Sequence, residues 1–229
     1  MNSSLINLPK AKSPRNIEHM NTFFTFGLTV ATSIAAMTVS AQLVRVEVDY
    51  IDNQGQVPGE TYRIYAVMEN EGDILDAIYG EASAPLQISS TAPFFQHLNG
   101  GPLSADIQRY DTTQDPTLLY DSWVTIGSED NYMNAVSGFI MDFESFNAGG
   151  ELATSDGAWF VTPDKRQAAA PPSKRILLMQ LTSKGEITGL INLHGRTKAV
   201  TDSDGNVVGG QEVIQSEGLR FVCKAPKRK

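Results

Sequence analysis

The sequence predicts an all-β fold, an antiparallel β-sandwich or jelly roll of roughly ten strands with little helix. Three observations predict it. Short β-branched and aromatic runs recur at spacings of about 8–20 residues and are divided by turn chemistry, with 19 glycines and 11 prolines set at no fixed period. No stretch of 10–15 residues shows the apolar stripe of an amphipathic helix, which excludes βαβ folds of the Rossmann and TIM-barrel type. The 229 residues are 41% hydrophobic and 19% charged, enough apolar surface to bury a core and too much for a disordered chain.

The strands can be justified in order. Residues 43–50 (LVRVEVDY) place Val44, Val46, Val48 and Tyr50 on one face and Arg45, Glu47 and Asp49 on the other, the pattern of a half-buried strand. Residues 52–55 (DNQG) and Pro58-Gly59 turn the chain into a second strand at 61–68 (TYRIYAVM). Residues 73–79 (DILDAIY), between Gly72 and Gly80, make a third, and 85–90 (PLQISS) a fourth. Residues 93–116 have loop composition, and a loop this long in a compact domain is functional or mobile. Strand patterns return at 118–126 (LLYDSWVTI), 138–143 (GFIMDF) and 157–162 (GAWFVT). Residues 167–172 (QAAAPP) read as an exposed loop inside the same domain, because the strands that follow could not bury a core alone. Residues 175–182 (RILLMQLT), a Ser183-Lys184-Gly185 turn and residues 186–193 (EITGLINL) read as the clearest hairpin. Its second arm is apolar on both faces, as a central strand would be. Residues 201–206 (TDSDGN) form a tight turn, and 219–222 (LRFV) close the fold.

The chain divides into residues 1–41, a single β-sandwich domain over 42–223, and a basic tail over 224–229. Residues 22–41 carry no charge and end in Val39-Ser40-Ala41, with Lys10, Lys12 and Arg15 upstream. This is the layout of a secretory signal peptide, with Gln42 as the mature N-terminus. Met20 is an alternative start, and an uncleaved anchor is the competing reading of the same stretch. No other uncharged apolar run reaches spanning length, so the mature chain is expected not to span a membrane. The expected location is secreted, extracellular or at the cell surface, with the periplasm as an alternative.

The net charge of −8 and the acidic pI exclude the basic face of a nucleic-acid binder. Residues 42–223 carry eleven Lys and Arg against twenty-five Asp and Glu, whereas the tail is basic. Such a tail suits contact between copies, docking on an anionic surface such as lipopolysaccharide or acidic polysaccharide, or a solvated terminus. The one cysteine, Cys223, excludes a disulfide scaffold and reads as a buried small hydrophobe or an intermolecular link.

Few residues offer chemistry. Asp142 and Glu144 match the end of a chitinase-type acidic strand, but Ser137 and Ile140 stand where further acids belong, so a strand with a wet face is favoured. Asp202, Asp204 and Asn206 present oxygens at alternate positions, as half a calcium loop would. Val213 fills the position of the bidentate Glu, and Asp-Gly is also a hairpin signal. Asp111, Asp115 and Asp121 form a looser acidic set. Gly-x-Ser-x-Gly is missing, and His97 and His194 are the histidines outside the leader, so neither a nucleophilic triad nor a zinc site is indicated. Tyr120, Trp123 and Trp159, with Phe94 and Phe95, lie on or beside loops and could stack on sugar rings. Both tryptophans also sit in strand-like runs, where core packing is the usual fate.

Three segments, residues 61–80, the Tyr-Asp-Ser-Trp-Val-Thr-Ile-Gly run at 120–127 and residues 175–182, resemble secreted β-sandwich proteins of environmental and marine bacteria that have no assigned activity. The resemblance implies export and a role at the cell surface, and it transfers no catalytic residue. The expected function is therefore an exported, non-catalytic β-sandwich acting in the cell envelope or as a subunit of an extracellular structure, with other copies of itself or envelope components as partners. A calcium-assisted carbohydrate-binding module and a polysaccharide-acting jelly-roll enzyme are the alternatives.

Overall fold

A computed structural model describes residues 44–224; residues 1–41, which read as a signal peptide, and all but the first residue of the basic tail lie outside the described residues. The fold is all-β and antiparallel, as expected, and the described residues form thirteen strands, several of them only two or three residues long, and two short α-helices. The strands are β1 (Arg45–Ile51), β2 (Glu60–Val67), β3 (Ile74–Gly80), β4 (Leu86–Ser90), β5 (Trp123–Val124), β6 (Ser137–Phe139), β7 (Leu152–Thr154), β8 (Gly157–Phe160), β9 (Arg175–Ser183), β10 (Ile187–Arg196), β11 (Val200–Thr201), β12 (Val207–Gly209) and β13 (Val213–Cys223). The helices are α1 (Asp111–Gln114) and α2 (Phe143–Asn147).

One sheet has the order β1-β2-β9-β5 and a second runs β6-β8-β3-β10-β4-β7, with β13 on the free side of β10, while β11 and β12 pair as a separate two-stranded ribbon. The long strand β10 organises the second sheet. Its first half pairs with β4 and its second half with β3, so those two strands lie end to end along one flank. The break between them is plugged by buried Asn192, whose amide donates to the carbonyls of Tyr79 and Ala84 at 3.0 and 2.7 Å. Inner faces of both sheets share one core, with Ile64, Leu178 and Leu181 from the first and Leu75, Ile88 and Ile191 from the second.

The run read as the clearest hairpin is not one. Consecutive strands β9 and β10 belong to different sheets, and the turn between them is an arch from one layer to the other. Ser183 closes that arch, its hydroxyl accepting from Gly185 N–H while also reaching the carbonyls of Ala92 and Pro93. Apolar residues on both faces of each arm are the physical reason, since each strand is central in its own sheet. Two further strand expectations change. Residues 118–126 open with a 3-10 turn over Pro116–Tyr120, leaving only Trp123–Val124 as strand. Residues 138–143 end β6 early, because Asp142 caps α2 by accepting from Ser145 N–H at 3.0 Å. Asp142 and Glu144 therefore belong to a helix start and not to a catalytic strand.

The first sheet carries apolar side chains on its outer side as well. A bulge in its β2–β9 pairing, between Ile64 and Tyr65, places Tyr65 opposite Leu177, and Trp123 stands opposite Gln180. Trp123 and Leu177 form a small second core with Ile107 and Leu118, against which Tyr65 packs. The long excursion between β4 and β5 supplies that cover. Buried Asp121 pins it, accepting from His97 N–H at 2.6 Å and Gly101 N–H at 3.2 Å. Cys223 is buried and free, and burial pushes its thiol up to about 12, so it stays protonated and inert at neutral pH.

Burial raises the Asp121 carboxyl to about 6, against the pull of its amide donors. The folded state thus binds the proton more tightly than the unfolded chain does, so stability is gained below the unfolded value and lost as pH rises from about 4 to about 6. Unfolding free energy of the wild type is expected to fall by up to roughly 3 kcal/mol relative to an Asp121→Asn variant across that window. Parallel curves in urea titrations from pH 4 to 7 would contradict this account of the buried carboxyl.

Candidate functional site

The cover over the first sheet is incomplete. Where it stops, a cleft of about 680 Å³ opens beside Tyr65, Arg175 and Leu177, within the roughly 300–1,000 Å³ typical of ligand sites. Strands β2 and β9 provide its base. One wall is the loop after β5, with Gly127, Ser128, Glu129, Tyr132 and Met133. The other is the segment before β9, which includes Lys165, Arg166, Gln167 and Pro171-Pro172. The alanine-proline stretch read as a plain exposed loop is thus a wall of this cleft, and Ala168 and Ala170 within it are buried.

Gln167 ties the two walls together. Its Nε2 donates to the Ile126 carbonyl at 2.7 Å and to Asn134 Oδ1 at 3.1 Å, and its Oε1 accepts from Ala135 N–H at 2.9 Å. The loop wall is joined in turn to the long excursion, as Asn131 N–H donates to the Ile107 carbonyl at 2.9 Å. Gly127 adopts a positive φ of 74°, and a Cβ there would strike the Gln167 carbonyl oxygen. Only glycine suits both conditions.

Guanidinium groups are fixed around the opening. Arg175 lies 4.0 Å above the centre of the Tyr65 ring, a favourable cation–π distance. Its Nη2 donates to Asp49 at 2.8 Å and its Nε lies 3.1 Å from Glu47, and the hydrogen bond to Asp49 raises its pKa further. Arg109 covers the Tyr132 ring at 4.6 Å and pairs with Asp130 at 2.7 Å. Arg63 holds Glu129, the one carboxylate among the lining residues, at 2.8 Å. At the rim, Tyr132 is 62% exposed and Met133 82%. Met133 also adopts φ 52°, a left-handed conformation that costs a non-glycine residue energy and often marks a binding site. The assembly can hold a ligand with an apolar face against Tyr132 and polar groups against fixed cations.

The residues singled out from sequence fall elsewhere. Trp123 and Trp159 are 2% and 0% exposed, so neither ring can stack on a sugar, and that expectation is corrected. Trp123 is consumed by the second core. Trp159 fills the main core and donates its indole N–H to the Thr125 carbonyl of the opposite layer at 3.0 Å, the satisfied state a buried indole needs. Tyr120 is half-buried at the end of its 3-10 turn and does not line the cleft. Asp202, Asp204 and Asn206 lie in the exposed turn between β11 and β12, where Asp202 accepts from the backbone N–H groups of Asp204 and Asn206 at 3.0 and 2.8 Å. That carboxylate closes the turn, and among the described residues no three His, Cys, Asp or Glu side chains gather as metal ligands would.

The two histidines are held by carboxylates in separate places. His97 Nε2 lies 3.1 Å from Asp115 on the long excursion. His194 Nδ1 lies 2.6 Å from buried Asp76, which also receives Arg196 at 3.1 Å and so links β3 to β10 across the bulge. Sequence reasoning missed Tyr65, Tyr132 and Arg175. Arg63 and Tyr65 share the polar-aromatic face of β2, which was the available signal. Among the described residues no helix is long and apolar enough to cross a membrane. Comparison with protein-family models, curated proteins and solved structures finds no match for this chain.

Gly127→Ala is expected to cost roughly 2–4 kcal/mol in urea unfolding, from left-handed strain together with the clash. Gly55 has a similar φ of 73° with nothing within 4 Å of the added carbon, so Gly55→Ala is expected to cost only about 1 kcal/mol. Equal losses would show that the cleft wall is not braced against Gln167.

Proposed function

We propose that this chain acts outside the cytoplasm, in the cell envelope or as a subunit of an extracellular structure, as a non-catalytic β-sandwich that holds a polysaccharide in the cleft over its first sheet. The observation that carries the reading is the cleft itself, whose opening exposes Tyr132 and Met133 beside guanidinium groups already fixed by ion pairs. An exposed aromatic ring offers its face to the C–H side of a sugar, while oriented N–H groups meet the hydroxyls. Glu129 is bound by Arg63, which suits it to positioning a ligand more than to transferring protons. The leader-like residues 1–41 and the resemblance to secreted bacterial sandwiches support export.

Tyr132 is chosen for the test because its exposure lets it be removed without opening a core. Affinity electrophoresis of the purified protein through neutral and acidic polysaccharides is expected to show retardation by at least one of them. Tyr132→Ala is expected to weaken binding about five- to tenfold, the range for losing one stacked ring, with an unchanged circular dichroism spectrum. No retardation by any polysaccharide, or full binding by Tyr132→Ala, would overturn the reading.

A further inference from the structure

We propose that the polysaccharide is an acidic one, bearing carboxylate or sulfate groups, and that Lys165 and Arg166 at the cleft receive its anionic group; this rests on the polysaccharide reading above. The distribution of charge carries the inference. Residues 44–223 hold eleven Lys and Arg against twenty-five Asp and Glu. Five of those cations line or touch the cleft: Lys165, Arg166 and Arg175 line it, Arg63 grips the lining Glu129, and Arg109 stacks on the lining Tyr132. Five acids share that neighbourhood: Glu129, Glu47, Asp49, Asp130 and Asp164. Elsewhere six cations face twenty acids.

An anionic chain is therefore repelled by most of this surface and least by the cleft. Each of the five acids there is already engaged by an arginine or by Lys165 at 2.7–3.1 Å, so none adds an unbalanced charge to the opening. Arg166 is exposed and has no ion pair or hydrogen bond to its side chain among the described residues. Its planar fork of N–H donors matches the oxygens of a carboxylate or sulfate, and the ammonium of Lys165, which balances Asp164 at 3.1 Å, stands beside it with further N–H donors to offer. Tyr132 faces the same opening, which sets a ring-stacking group and an oxyanion receptor within one site, the combination a charged sugar requires.

The test compares charged and uncharged forms of the same polymers by isothermal titration of the full-length protein. The pairs are dextran sulfate with dextran, and polygalacturonate with its methyl ester. At least one charged member is expected to bind ten times or more tightly than its neutral counterpart. The Lys165→Gln/Arg166→Gln double variant is expected to lose about tenfold in affinity for it. A tail variant, Lys227→Gln/Arg228→Gln/Lys229→Gln, is expected to bind as the wild type does. Equal binding of the neutral polymers would overturn this inference and leave the polysaccharide reading standing. Loss of binding in the tail variant, with none in the cleft variant, would move the anion site to the terminus and overturn it as well. Silence toward all four polymers would remove both proposals.

Discussion

The first sheet cannot face water on its outer side. The bulge in the β2–β9 pairing turns Leu177 outward beside Tyr65, and Trp123 stands on the same face. Leaving those side chains exposed would forfeit about 1.5–3 kcal/mol for each large apolar group. The long excursion between β4 and β5 is the answer to that constraint, and Ile107 and Leu118 are what it brings. Buried polar groups then make the cover specific. Asp121 closes the excursion on backbone amides, while Gln180 donates to the carbonyls of Leu119 and Asp121 at 2.8 and 2.9 Å. Hydrogen bonds of this kind fix one arrangement of a covering loop, because any other leaves a buried donor or acceptor unmet.

The cleft is the remainder of the same geometry. The cover ends before it reaches the start of β9, and in the gap the Arg175 guanidinium lies over Tyr65. The opposite sheet has no comparable need. Its outer face carries the Asp76, His194 and Arg196 cluster and a hydrogen bond from Tyr79 to Glu217 at 2.8 Å. An apolar outer face with an unfinished cover is thus found on one layer, and the fixed arginines stand on that layer too.

Much of the fold was legible because strand patterning is local. Alternation in residues 43–50 and the β-branched runs behind β2, β3 and β4 reflect burial of one face, and the observed strands match them to within a residue or two. Pairing was less legible. The turn at Ser183-Lys184-Gly185 is compatible with a hairpin or an arch, and the choice rests on which sheet buries the second face of each arm, a property of distant segments. The site was hidden for the same reason. Tyr65 and Leu177 become neighbours through strand register, and no short motif announces it. The tryptophans drew attention as exposed aromatics, yet their size makes them worth most inside, where Trp159 links the two layers.

The central claim is that the uncovered part of the first sheet's outer face is the surface this protein uses. Backbone amide chemical shifts, followed by nuclear magnetic resonance during titration with the tightest-binding polysaccharide, test it most directly. The account predicts perturbations confined to Tyr65, residues 127–133 and residues 165–177. Perturbations centred instead on the β11–β12 turn, or on the face that carries His194, would contradict it.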